Sequence, residues 1–465
     1  MLFINRLAQQ MPEICFSQLS TPMQDPQWII GSQKAAQLLD FNNPQMGLSW
    51  LSGHSIAVGM DPVSTVYSGH QFGGYTPQLG DGRALLLGEY LNESGQAWEL
   101  QLKGSGLTPF SRQGDGKAVL RSSIREFLAS EALAAQGIPT TRALGLVTGS
   151  GKVVREQLEF EAMVLRLAPS FLRFGHFEYL YHQQHHESLK RLIDFSLRHY
   201  FPQLLDSPNP VAAMLQEISR LTAVMIAHWQ ASGFCHGVMN SDNMSILGLT
   251  IDYGPFGFLE SYDPTHICNH SDSYGRYAFD QQPAVGLWNL QRLGQALSAF
   301  VSPEEQQLCW QVYQAQINHS LQHLMALRLG LDEFNESDEI LIRELLDILQ
   351  EKKLDYHQSL RSLQNLDQAS SSFGPVWMHK YLARISSSAL TEVQRVAQIC
   401  DNNPCYVLRN HLAQSCIEAA QQGDYEALIT LHTALETPYL QNPEFLHLDK
   451  AAPDWAANIQ VSCSS

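Results

Sequence analysis

The chain has 465 residues, with 29 Lys+Arg against 46 Asp+Glu and a formal net charge of −17. That balance argues against a general binder of nucleic acid or of anionic membranes, because phosphate surfaces attract excess Lys and Arg. Apolar content of 44% is ordinary for a globular protein, the length admits two or three domains, and no segment approaches the roughly 18 uninterrupted apolar residues of a membrane-spanning helix. The opening MLFINRLAQQMPEICFSQLS has neither a secretory nor a transit pattern, so a cytoplasmic location is expected. The eight cysteines form no CxxC pair, which argues against zinc and for mostly buried thiols.

Residues 1–60 are mixed in composition, with a helix expected at Ser32–Leu39. Val66–Glu89, VYSGHQFGGYTPQLGDGRALLLGE, holds six glycines in 24 residues. Gly80-Asp81-Gly82-Arg83 precedes an apolar strand, Ala84–Leu87; glycines there let backbone N–H groups approach phosphate, and Arg83 adds a cation. A plain β-turn has the same composition, and no GxxxxGK[ST] loop occurs anywhere.

Ala97–Lys103 alternates apolar and polar residues as a half-buried strand does. Lys103 at its end is either a solvated lysine or a phosphate ligand of the kind kinases place on such a strand. Arg121–Gln136 carries an apolar stripe at helical spacing, ended by Gly137 and Pro139. Ser123 and Glu126 fit a capping box, but Glu126 also stands where a kinase carries the glutamate that pairs with its lysine, and the pair with Lys103 is the favoured reading. Between them Asp115-Gly116 is a tight turn, with Asp115 either a turn residue or one facing the nucleotide. Glu161–Leu167 reads as a strand leading to a crossover between lobes. Arg166 and Arg173 flank Pro169 there, as solvated side chains or as polyphosphate contacts.

Pro210–Gly233 reads as a long amphipathic helix that delivers the chain to His236–Gly254, HGVMNSDNMSILGLTIDYG. Apolar residues on either side of Gly248 suggest a small buried hairpin, Met244–Leu247 with Leu249–Ile251. Its two ends would join Asp242 and Asn243 to Asp252, oxygen donors suited to Mg²⁺ or Mn²⁺; turn capping is the alternative. The stretch resembles the protein-kinase pattern HRD, four residues, Asn, then DFG: His236 and Asn243 are seven apart, and Asp252-Tyr253-Gly254 stands for DFG. The residue in the place of the kinase base is Val238, which accepts no proton; the carboxylate in the loop is Asp242. His236 is expected to be structural. Gly254–Pro283 has the place and length of an activation segment. Helices are expected at Trp288–Phe300, Glu304–Leu329, Asp338–Glu351, Leu390–Ile399 and Val407–Gln422.

The blocks YSGHQFGGYTPQLGDGRALLLGE, QLKGSG, HGVMNSDNMSILGLTIDYGPFGF and NPCYVLRNHLAQSCIEAAQQGDY together resemble the selenoprotein O family of kinase-fold protein adenylyltransferases, from about residue 40 to the C-terminus. The resemblance implies an α+β fold, bilobal and protein-kinase-like, with a mostly helical C-terminal extension: a nucleotide lobe over 1–165, a catalytic lobe over 166–300 and the extension over 301–465. It implies ATP bound in reverse, so that AMP passes to Ser, Thr or Tyr hydroxyls of proteins. Gly80, Gly82, Arg83, Lys103, Asp115, Gly116, Arg166, Arg173 and Asp252 would bind nucleotide, Asp242 would accept the proton, and Asn243 and Asp252 would hold the metal. Eukaryotic members carry selenocysteine near the C-terminus, where this chain has Cys463. A disulfide between Cys463 and Cys268 of the activation segment would tether the tail over the cleft. A kinase-fold phosphotransferase and a non-catalytic, redox-signalling nucleotide binder are the competing readings.

Overall fold

The computed structural model describes residues 3–155 and 157–462. Its architecture is α+β. A nine-stranded antiparallel sheet is laid down by residue 168, and the chain beyond is mostly helical. Seven strands follow one path across the sheet, in the order Cys15–Ser17, Val63–Thr65, Ala84–Leu91, Ala97–Lys103, Leu158–Ala168, Arg142–Val154, Gln27–Gly31. Phe3–Ile4 and Ala118–Val119 join at the sides.

The expected strand Ala97–Lys103 forms with those bounds, but it is not half-buried. Glu99 and Gln101 are as enclosed as Leu100 and Leu102, because both sheet faces are covered. Apolar residues such as Leu85 and Leu102 pack on one face with Phe41 and Leu51. The helix Leu120–Ala135 packs against the strands Arg142–Val154 and Leu158–Ala168 on the other. Polar side chains on that covered face must find partners among themselves, since an unpaired buried polar group costs a few kcal/mol. Those partners build the site described below.

The helix Leu120–Ala135 corrects the capping-box expectation. It starts about one turn before Ser123 and nearly two before Glu126, at an N-cap, Val119, whose side chain makes no capping bond, so Ser123 and Glu126 lie inside it. Ser32 does cap the short helix Gln33–Gln37. Pro210–Ser232 forms as expected, with Asn209 at its N-cap and Gly233 left-handed at its C-cap (φ 65°). It packs against Gln282–Ala296 and Pro303–Leu329.

The hairpin expected at Met244–Ile251 does not form. Its two arms take different partners: Met244 and Ile246 bond Phe174 and Leu172, while Thr250 bonds Pro139 and Thr141. Four buried or half-buried apolar residues around a glycine are satisfied equally by either pairing, and the choice is made by segments far away in sequence. Helices at Phe174–His182, His186–Tyr200, Tyr356–Ser362, Leu366–Phe373, Pro375–Ser386 and Glu426–Glu436 add to those expected from periodicity. Expected helices at 390–399 and 407–422 appear as Glu392–Asn402 and Asn410–Gln421. Gly254–Pro283 is largely irregular, with one two-residue strand, Gly257–Phe258, paired to Phe234–Cys235. Among the described residues no helix is long and apolar enough to cross a membrane.

Candidate active site

A cleft of about 660 Å³ opens where the sheet, the helix Leu120–Ala135 and the loop 236–255 meet. Its wall includes Gly80, Gly82, Arg83, Lys103, Asp115, Gly116, Arg166, Arg173, Asp242, Asn243 and Asp252. The residues singled out from sequence, drawn from six separate segments, thus face one space. Glu126 stands behind the wall, and Cys268 is buried elsewhere, its Sγ donating to the Cys235 carbonyl at 3.4 Å.

A chain of alternating charges runs through the wall. Glu126, 1% exposed, accepts from both Lys103 and Arg166. Arg166 also reaches Gln101 Oε1 and Asp252 Oδ1, each at 3.0 Å. Asp252 is further paired with Arg173, whose Nη1 donates to the backbone carbonyl of Asp242 at 3.0 Å. Burial works against both carboxylates, yet Arg173 and Arg166 hold Asp252 well below the usual carboxylate range, and Arg166 and Lys103 hold Glu126 down. Burial, reinforced by the charge of Arg166, pulls the Lys103 ammonium down to about 8. Asp252 has a left-handed backbone, φ 58°, a conformation that Asp tolerates better than most residues.

His236 is structural, as expected. Its Nε2–H donates to the Ile251 carbonyl at 2.9 Å, just before Asp252, and its ring stacks on Trp229. Asn243 Nδ2 donates to the Val238 carbonyl at 3.0 Å, which leaves Oδ1 without a donor among the described residues. Asp242 is 6% exposed. Its Oδ2 accepts a long bond from Gln71 Nε2, 3.4 Å, while Oδ1 has no partner. Burial pushes this carboxyl up to about 7, so near neutral pH it exchanges a proton readily.

The glycine turns sit tight against neighbours. A Cβ on Gly82 would stand 2.9 Å from the Phe110 carbonyl, and one on left-handed Gly116 would overlap the Gly106 carbonyl. Asp115 is tied by Arg155 at 2.8 and 2.9 Å and by the Lys117 N–H. It is therefore a turn residue and a wall residue at once. Sequence reasoning missed Arg112, Lys117 and Arg155, which also line the cleft; the signal was present in SRQGDGK, where two cations surround the Gly-Asp-Gly turn. Among the described residues Arg83 and Arg112 make no side-chain hydrogen bond or ion pair. Seven Lys/Arg against four Asp line the cleft of this acidic chain, an arrangement suited to a polyphosphate.

Cys463 lies outside the described residues. The tail before it returns to the stretch 254–283, where the His270 N–H donates to the Val461 carbonyl at 2.9 Å.

A family model described as protein adenylyltransferase SelO matches residues 3–436. Relatives named protein nucleotidyltransferase YdiU are similar over the whole chain. One from Ectopseudomonas mendocina is 46% identical over 100% of this chain and 98% of its own, and one from Aeromonas hydrophila is 47% identical over 100% of both. One from Pseudomonas fluorescens is 44% identical over 100% and 98%. The cleft, with its cations and its half-free acid, is thus set in a chain that belongs to the SelO family of protein adenylyltransferases, a nucleotidyltransferase.

Proposed function

We propose that the cleft binds ATP with its α-phosphate toward the acceptor and transfers AMP to Ser, Thr or Tyr hydroxyls of proteins, on a bilobal, protein-kinase-like fold. The sheet-bearing part, 1–165, would grip the nucleotide, 166–300 would carry the catalytic loop and activation segment, and 301–465 would buttress them. The single observation that carries the reading is Asp242: a buried carboxylate with one unpartnered oxygen in a cleft lined by seven cations, while the position of the kinase base is the inert Val238. As the acceptor oxygen bonds to Pα, its proton passes to the Asp242 carboxylate. The bond from Pα to the oxygen bridging Pβ breaks, and pyrophosphate leaves with that electron pair.

Gly80, Gly82 and Gly116 let the backbone approach the phosphates. Arg83, Lys103, Arg166 and Arg173 offset their charge, and Asp115 holds its turn against Arg155. Glu126 keeps Lys103 and Arg166 aimed. Asn243 and Asp252 fit Mg²⁺ or Mn²⁺: both present hard oxygens, and with only one carboxylate and one amide between them, phosphates and water would complete the shell. The carboxylate of Asp252 would be shared between that ion and its two arginines. The ion would supply charge neutralisation on the triphosphate.

ATP labelled at α or at γ, given with Mg²⁺ or Mn²⁺ and a protein extract, tests the reading. Protein label from the α position is expected; label from γ alone would establish a kinase, and label from neither a nucleotide-binding scaffold. Cys268 and Cys463 are proposed as a redox pair, which the return of the tail to His270 supports. A cytoplasmic location fits the free thiols, since the seven described cysteines are all unpaired.

A further inference from the structure

The motif His70-Gln71-Phe72-Gly73-Gly74 is not used by the nucleotide reading. It forms the tip of a hairpin, Gly69–Gln71 with Gly74–Thr76, closed by the two-residue turn Phe72-Gly73. Both turn residues have positive φ, 49° and 85°. Such a turn favours Asn, Asp or Gly, and a bulky Phe at its first position is strained by about 1–2 kcal/mol. The strain is held from outside. The Phe72 N–H lies 2.9 Å from Tyr277 Oη and 3.2 Å from Asn240 Oδ1, and Tyr277 itself donates to Asn240 at 2.6 Å. The Phe72 ring, 5.2 Å from that of Tyr277, is nevertheless 43% exposed. A large apolar side chain is thus kept in an unfavourable backbone conformation with nearly half its surface in the open, an arrangement that stability alone does not favour.

The hairpin is also pressed onto the acid. A Cβ at Gly69 would stand 2.5 Å from Asp242 Oδ1 and 2.7 Å from its Cβ. The His70 N–H donates to Ser241 Oγ at 2.7 Å, and Gln71 gives Asp242 its side-chain hydrogen bond. Gln71, Phe72, Asn240 and Asp242 share one cleft wall. Phe72 and Asp242 therefore border the same space, the one an acceptor hydroxyl would enter on the AMP-transfer reading.

We propose that this hairpin tip is the acceptor subsite: Phe72, backed by Tyr277, stacks on the hydroxyl-bearing side chain, with tyrosine favoured over serine, and Gln71 positions Asp242. The proposal rests on the AMP-transfer reading with Asp242 as proton acceptor. Phe72 touches substrate in this account; Gln71 is a positioning residue acting through Asp242.

The strained turn supplies a clean test, because Asn suits its first position better than Phe. Phe72→Asn is assayed with ATP labelled at α and with short synthetic peptides of fixed flanks bearing one central Tyr or one central Ser. The expected results are a thermal midpoint equal to or above the parent's, ATP binding within about twofold, and a Tyr-over-Ser preference in kcat/KM reduced about three- to tenfold, the scale of one aromatic stack. Gln71→Leu is expected to lower kcat on both peptides with ATP binding unchanged. A Phe72→Asn protein that folds, binds ATP and keeps the parent Tyr-over-Ser ratio overturns the subsite. Gln71→Leu with parental kcat overturns its positioning role. Asp242→Asn run beside them separates the two levels: if it retains transfer, the proton-acceptor reading itself has failed, whereas an inactive Asp242→Asn beside an unaltered Phe72→Asn leaves that reading standing and removes only the subsite.

Discussion

Arg166 joins Asp252 to Glu126: its Nη2 lies 3.0 Å from Asp252 Oδ1 while its Nε bonds Glu126. One rigid guanidinium thereby sets the distance between the carboxylate proposed to hold metal and the glutamate that braces Lys103. A lysine in its place is a single point charge and cannot span both acids and Gln101. Arg166→Lys is expected to weaken binding of a non-hydrolysable ATP analogue about tenfold or more, measured by titration calorimetry. Binding at the parental affinity would show that the bridge does not position the nucleotide groups.

Removal of Glu126 is predicted to act on stability as well. Glu126→Gln leaves Lys103 and Arg166 buried without their shared carboxylate, and breaking such a pair typically costs about 3–5 kcal/mol. Chemical denaturation is expected to show a loss of that order, together with weaker ATP binding. A loss below about 1 kcal/mol would mean that the two cations find other partners.

Asp242 can take a proton only when ionised. With its carboxyl pushed up to about 7 by burial, kcat/KM for ATP is expected to rise with pH through that region and level off above it, because this ratio reports the free enzyme. Asp242→Asn is expected to lower kcat by about 10²–10⁴-fold with little change in ATP affinity. A pH profile flat from 5.5 to 8.5, taken as roughly the range spanning that value, would assign the proton to another group.

Glu99 gives a separate pH signature, in stability. Its carboxylate accepts from Tyr200 Oη at 2.8 Å and from the Phe171 N–H at 2.6 Å, opposite Glu89 in the neighbouring strand. Burial, with Glu89 beside it, raises it from 4.5 to about 8. The folded state therefore holds this proton more tightly than the unfolded chain. The stabilisation is complete below about 4.5 and is lost as pH rises through about 8. Glu99→Gln removes the dependence. Melting of the two proteins across this range is expected to show the variant gaining on the parent as pH increases; parallel curves would count against a raised carboxyl.

Mild oxidation is expected to produce a peptide containing Cys268 and Cys463 in a non-reducing digest. Burial holds the Cys268 thiol well above its usual range, so its alkylation at pH 8 should be slow compared with a free thiol, whose pKa is about 8.5. Complete oxidation without that cross-linked peptide would remove the pair.

The strand Ala97–Lys103 and the helices at 210–232 and 338–351 follow from local periodicity and end signals such as Gly233. The helix 186–200, whose apolar positions are as periodic, was legible but unread. The hairpin at 244–251 was not legible, because its apolar pattern is compatible with several pairings and distant segments chose among them. Glu126 shows the same limit. Its spacing from Ser123 matches a capping box, and only the start of the helix at Leu120 releases it to pair with Lys103 and Arg166.

Residue type and spacing along the chain were enough to determine the donors available: Asp242 and Asn243 in the loop whose kinase-base position is Val238, Asp252 two residues before a glycine, and cations beside glycine turns. Chemical identity is local, so a string of letters carries it. The tertiary structure decided which oxygen of Asp242 is left without a hydrogen-bond partner, that Arg166 faces both Glu126 and Asp252, and that Phe72 stands strained and half-exposed on the cleft the acid lines. These are distances between residues far apart in sequence, and they exist only once burial has brought the segments together and forced each polar group to find or forgo a partner.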